Sequence, residues 1–332
     1  MTKPRNPKRN AFCRAATIVV LVGWGVAGSA LPAFARQSEL GAAGASRQIA
    51  EQTARPLEED DCRPLEQTLP QTLFAWNPRV GVLGEDEEEA DDFQIEPLAT
   101  DRPDFTEASS TVGRGVLQLE MGYTVESDDS AGQTTRTHAY PEMLWRWGLL
   151  AEWLELRAGW NYASAEVAGE SEAGAEDLYL GCKLWLTPQV RWLPEMAVVP
   201  QMSVPTGHER WTAGEVLPGL NWLYGWDLND RWSLAGSSQF NRAVDGQSAA
   251  TYTEWAQSWT VGFAWTDRLK SYGEWFAFFP SGAETQPTEH YANGGLTLLL
   301  SDDVQWDLRA GVGLSEAATD SFIGTGLSIR WR

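Results

Sequence analysis

From Gly115 to the end of the chain, apolar and polar positions alternate with a period of two in one run after another. In the first run Leu117, Leu119, Met121, Tyr123 and Val125 share one parity, while Gln118, Glu120, Gly122 and Thr124 share the other. A later run sets Leu178, Leu180, Cys182, Leu184 and Leu186 against Asp177, Tyr179, Gly181 and Lys183. Near the end, Val304, Trp306, Leu308, Ala310 and Val312 alternate with Gln305, Asp307, Arg309 and Gly311. A period of two puts the two sets on opposite faces of a sheet. The polar set carries full charges, so its face must be wet. Twelve strands are expected, near 115–126, 135–147, 152–163, 175–187, 192–204, 216–227, 231–242, 251–265, 269–280, 289–300, 303–314 and 321–331.

The connections between these strands are long and short in turn. The longer ones, 127–134, 164–174, 205–215, 243–250, 281–288 and 315–320, hold the Gly, Ser, Asp and Pro of loops. The others are tight, such as Asn229-Asp230 and Asp302-Asp303. An even strand count with short turns at one end and longer loops at the other predicts an antiparallel barrel closed in an outer membrane. The expected fold is therefore all-β, a twelve-stranded transmembrane β-barrel. Tryptophan supports it: Trp145, Trp147, Trp153, Trp185, Trp192, Trp226, Trp232, Trp265, Trp306 and Trp331 fall near the short turns or the C-terminus. Tyr123, Trp160, Tyr162, Phe240, Trp255, Phe279, Tyr291 and Phe322 gather toward the long loops. Rings with an apolar body and a polar N–H or O–H prefer the two bilayer interfaces.

Before the strands the chain changes character. Lys3, Arg5, Lys8, Arg9 and Arg14 precede an apolar run from Ala15 to about Leu31, and Ala33-Phe34-Ala35 has the small-x-small pattern of a cleavage site. Residues 1–35 read as a signal peptide, which directs the chain across the inner membrane. Residues 36–99 are acidic, with the run Glu85-Asp86-Glu87-Glu88-Glu89, and read as a disordered periplasmic leader ahead of a barrel domain at 100–332. The net charge is -21, and loss of residues 1–35 makes it more negative still, which excludes nucleic acid as a partner. Cys62 and Cys182 lie far apart in the pattern and near no histidine, so neither a disulfide nor a metal site is expected. No cofactor is implied.

The polar parity places Glu120, Glu142, Glu155, Asp177, Glu274 and Asp307 in the lumen, together with Arg136, Arg146, Arg157, Lys183, Arg309 and Arg330. Opposite charges on neighbouring strands brace a barrel by pairing, and the same residues set selectivity where a pathway conducts. Both readings stay open. The outer-membrane phospholipases, also twelve-stranded, place a serine two residues beyond the histidine on the strand. His138 is on the inward parity but is followed two residues later by Tyr140, and His208 and His290 by Arg210 and Ala292, so no catalytic residue is assigned; a cross-strand pair such as Ser281 with His290 is the remaining geometry.

The stretch Thr100 to Thr124, TDRPDFTEASSTVGRGVLQLEMGYT, resembles the opening of the family named for the MetA pathway of phenol degradation. The blocks at 140–162, 174–186, 200–207, 272–280 and 291–300 and the final strands fit the same family. The resemblance implies an outer-membrane barrel that passes small molecules, aromatic or hydrophobic ones included, with outer-membrane lipid and the barrel-assembly machinery as partners. The alternative is a closed structural or surface-interaction barrel. Asp101, Arg102 and Asp104, with Pro103 between them, are too polar for a spanning strand. They are expected either to tuck into the periplasmic mouth against Arg146, Arg157 or Glu155, or to serve as a plain linker.

Overall fold

The computed structural model describes residues 98–130, 133–167 and 170–332. The expected signal peptide and nearly all of the expected leader lie outside them. Thirteen strand segments follow one another: β1 Leu117–Ser130, β2 Gln133–Gly148, β3 Leu154–Val167, β4 Glu170–Ala175, β5 Leu178–Thr187, β6 Glu195–Val204, β7 Leu217–Asp227, β8 Trp232–Val244, β9 Thr251–Ala264, β10 Leu269–Ser281, β11 Glu289–Ser301, β12 Val304–Gly313 and β13 Ser321–Trp331. Apart from β4 and β5, sequence neighbours pair antiparallel, and β1 pairs with β13 from Leu117↔Trp331 to Ser127↔Ser321, which closes the sheet. β4 and β5 both pair with β3, at its two ends, and form one interrupted stave. The result is a closed barrel of twelve staves. Closure satisfies every ladder and leaves no edge to lipid.

We call the end with the short turns and the C-terminus the foot, and the other end the mouth. Among the described residues no helix is long and apolar enough to cross a membrane. The outer face carries exposed apolar side chains, among them Trp147, Leu156, Trp222, Leu220 and Ile323. At the foot Trp145 stacks on Trp331 at 6.4 Å, and toward the mouth Tyr140 lies between Tyr123 and Tyr162. The inner face holds the buried charges.

Three features depart from the alternating pattern. The connections 127–134 and 164–174 are largely strand, because β1–β2 and β3–β4 continue as tall hairpins past the expected turns. In β2 a bulge between Tyr140 and Met143 sets two residues, Pro141 and Glu142, against the single Asn161. An extra residue reverses the parity of everything beyond it. Arg136 and His138 therefore face outward, against the inward placement that strict alternation gives. Arg136 is exposed opposite Ser127 and Glu166, and His138 Nδ1 shares a 2.6 Å hydrogen bond with the Tyr123 hydroxyl. The second break, at Glu176-Asp177, resets the phase between β4 and β5.

Candidate functional site

Residues 98–113 lie inside the barrel, although none of them pairs with a strand. Pro103 has no amide hydrogen, and Asp101, Arg102 and Asp104 need polar partners, so the segment is held by side chains instead of a ladder. Asp101 is its deepest anchor. Its Oδ2 lies 2.7 Å from Arg157 Nη2 and 3.3 Å from Arg146 Nε, and its Oδ1 accepts from Lys183 Nζ at 2.9 Å and from the Ala108 amide at 2.9 Å. Burial opposes the charge on Asp101, but Arg146, Lys183 and Arg157 outweigh it and hold the carboxyl well below the usual carboxylate range.

Glu120 completes the underside. Its carboxylate accepts the amides of Asp101 and Arg102 at 3.0 Å each and takes a 2.9 Å bond from Arg146 Nη1. Arg146 also forms two bonds with Glu155, whose Oε2 accepts the amide of Val112 where the segment leaves the lumen. Arg157 binds Glu107 at 2.6 Å. Lys183 donates to the carbonyls of Ala108 and Ser110 as well as to Asp101. Across the lumen Arg102 binds Glu142 at 2.6 Å and Asp307 at 3.3 Å, and Arg309 donates to the Pro103 carbonyl, Thr124 and Glu142. Gly122 and Gly326 form the trough for Arg102, since a Cβ on either would overlap its guanidinium.

On the β9–β10 side Glu274 receives the amides of Phe105 and Thr106 at 2.8 and 2.7 Å, the hydroxyls of Thr106 and Thr260, and the Asn293 amide. No ion pair to Glu274 is among the described contacts. Asp104, partly buried beside it, is pushed well above the usual carboxylate range by burial and by the charge of Glu274.

Above this charged layer the lumen is aromatic. Phe105 stacks on Phe276 at 4.6 Å, Phe276 on Tyr291 at 4.8 Å, and Phe278 stands edge-on to Phe105 at 5.4 Å. Phe322 and the buried Ala318 of the 314–320 connection close the cluster. Tyr291 and Phe322 thus face inward, not toward the mouth-end lipid interface. Parity alone would show this, because both share a face with Asn293 and Gly324; their place near a long loop suggests a belt instead. Trp185 is also inward, and its indole donates to Glu195 at 3.1 Å.

The remaining sequence-assigned residues lie apart from this layer. Asp177 sits at the break in the fourth stave and accepts the amides of Gly207 and Ala213 at 2.9 Å each. It thereby folds the 205–216 connection inward, where Trp211 packs on Ala163 and Ala165. Arg330 is at the foot, bound to Asp303 at 2.9 Å. Ser109, Thr106 and Glu107, which also anchor the segment through Glu195, Glu274 and Arg157, carry no periodic signal and are invisible to alternation. Among the described residues no group of acidic, histidine or cysteine side chains is arranged to hold a metal ion.

Similar proteins share this architecture. The COG4313 outer membrane channel from Pseudomonas putida F1 superposes with a TM-score of 0.51 at 14% identity, covering 67% of this chain and 98% of that one. The NanC porin gives 0.38 at 10% identity over 64% and 98%. The translocator domain of the autotransporter NalP from Neisseria meningitidis gives 0.43 at 9% over 65% and 88%. At these identities the first likeness establishes the barrel fold, and the other two add nothing further. No curated protein matches the sequence. The family described as "Putative MetA-pathway of phenol degradation" matches residues 100–331, the lumenal segment and the whole barrel, and the chain belongs to that family.

Proposed function

We propose that the protein is an outer-membrane channel for small molecules whose N-terminal segment closes the lumen. The observation that carries this reading is how the segment is held. Residues 98–113 cross the lumen on side-chain contacts alone, so they can leave without breaking a rung of the barrel ladder. The apolar, lipid-facing outer surface supports a place in the outer membrane. The family's association with an aromatic degradation pathway and the lumenal rings Phe276, Phe278, Tyr291 and Phe322 support small aromatic or hydrophobic solutes, because stacked rings offer such molecules an apolar surface inside a wet pore.

The test is reconstitution of the folded barrel in planar bilayers and solute-loaded liposomes, with wild type beside the Asp101→Ala, Arg102→Ala, Asp104→Ala triple variant. Raised conductance and uptake in the triple variant are expected. A folded barrel silent in both forms would instead establish a closed structural barrel.

A further inference from the structure

We propose that the pore, read as a channel above, selects cationic solutes, with aromatic ammonium ions the best fitted. The lumen is unevenly charged along its axis. Around the segment at the foot side, acidic and basic groups interlock. On the mouth side the inward positions carry Glu126 on β1, Glu176 at the break of the fourth stave, Glu254 on β9 and Glu289 on β11. Glu126 shares a face with Phe322, Glu254 with Asn241, and Glu289 with Phe278.

These carboxylates feel one another. Glu126 lies in the field of Arg309 below it and of Glu142, Glu176 and Glu289 around it, and Glu289 in that of Asp128. Glu254 and Glu289 receive neutral hydrogen bonds: Tyr252 donates to Glu254 at 3.0 Å and Tyr291 to Glu289 at 2.6 Å. Oε1 of Glu176 is buried with no hydrogen-bond partner. Such contacts orient the carboxylates and bring no counter-ion to them.

Among the described residues, basic groups near this level are turned elsewhere or already held. The bulge in β2 turns Arg136 outward, and Arg242 bonds Thr251 on the outer face. Arg210 pairs with Glu172 on the exposed rim at 2.6 Å. Arg309 reaches up from below, but it is bound to Glu142 and lies 5.8 Å from the Phe322 ring. That last contact shows a guanidinium already using an aromatic face of this cluster. A solute crossing from the mouth therefore meets Glu176, Glu254 and Glu289, which have no ion pair among the described contacts, and then the rings Phe322, Phe278, Tyr291 and Phe276. Low-dielectric walls lined with one sign of charge concentrate the opposite ion, and ring faces attract cations within about 6 Å. Rings of Asp and Glu set cation selectivity in pores.

The experiment compares phenethylammonium with phenylacetate, matched in size and opposite in charge, in liposome uptake, and measures reversal potential across a KCl gradient. The full-length barrel is used, as wild type and with the segment loosened by Asp101→Asn. The expected result is potassium preference and amine uptake roughly tenfold above that of the acid. The ratio should fall toward one in the Glu126→Gln, Glu254→Gln, Glu289→Gln variant. It should also fall for the unmutated protein at about 1 M salt, where screening shortens to about 3 Å, so the result does not depend on the variant folding. Equal uptake of both solutes, or chloride preference, through a conducting barrel would overturn this inference and leave the channel reading intact. Silence in both forms would overturn the channel reading and this one together.

Discussion

Replacing Asp101 by Asn tests whether the lumenal segment is a movable closure. The change removes one charge and almost no volume. In the wild type that charge is the shared counter-ion of Arg146, Arg157 and Lys183, whose side chains are essentially sealed from solvent. Arg146 keeps Glu120 and Glu155, and Arg157 keeps Glu107. Lys183 keeps only the carbonyls of Ala108 and Ser110 besides the new amide oxygen. Taking one partner from a buried ion pair costs about 3–5 kcal/mol because the other charge is left uncompensated. The remaining partners and the retained amide place this case near 3 kcal/mol. At about 1.4 kcal/mol per factor of ten, the open-to-closed ratio rises about 100-fold. Single-channel recording of dwell times reads that ratio directly. The strand ladder is untouched, so heat-modifiable migration should match wild type. A folded Asp101→Asn barrel whose open-to-closed ratio stays within about threefold of wild type would refute the argument, since that is far below the cost of breaking a buried ion pair.

Other outcomes follow from the same contacts. Gly122→Val places a side chain where the Arg102 guanidinium lies, so it should expel the segment by sterics alone and mimic the open phenotype; currents identical to wild type would mean that Arg102 is not held in that trough. Leu180→Arg faces lipid and should cost roughly 2–4 kcal/mol in urea unfolding from bilayers, whereas Lys183→Ala, on the opposite face and bound to Asp101, should act on opening; a reversed pattern would shift the register of β5 by one residue. Truncation after Leu327 deletes the rungs Leu117↔Trp331 through Glu120↔Ser328, opens the barrel seam and should abolish heat-modifiable migration. Asp104 holds its proton above the free-chain value of 3.8, so its contribution to docking is complete below that value and is lost as pH rises through the raised one. Openings should therefore become more frequent toward alkaline pH, with Asp104→Asn flattening the slope. Asp101, shifted the other way, weakens docking only as pH falls below the ordinary carboxylate range.

The alternation of Leu117 to Val125, of Leu178 to Leu186 and of Val304 to Val312 was enough to establish strands, their number and a wet inner face, because sheet parity is a local property of the backbone. The turn-side tryptophans, most visibly Trp145 and Trp331, marked the foot for a similar reason: interfacial preference belongs to the ring itself. Parity also identified Glu120, Arg146, Glu155, Arg157 and Lys183 as inward charges. It failed where a single residue changes the phase. Pro141 is a bulge signal that alternation by itself does not weigh, and Glu176-Asp177 look like ordinary strand residues, yet the two sites turn Arg136 and His138 outward and send Asp177 to the 205–216 connection. Strand height escaped it too, since β1 continues to Ser130 and makes Asp128, within the expected 127–134 connection, a strand residue. Only closure of the barrel decided the rest. Asp101 meets Arg157 across 56 residues, and Arg102 meets Asp307 across 205, because the staves curve around to one axis. Contacts of that span arise from the geometry of the closed cylinder, and no periodicity along the chain encodes them.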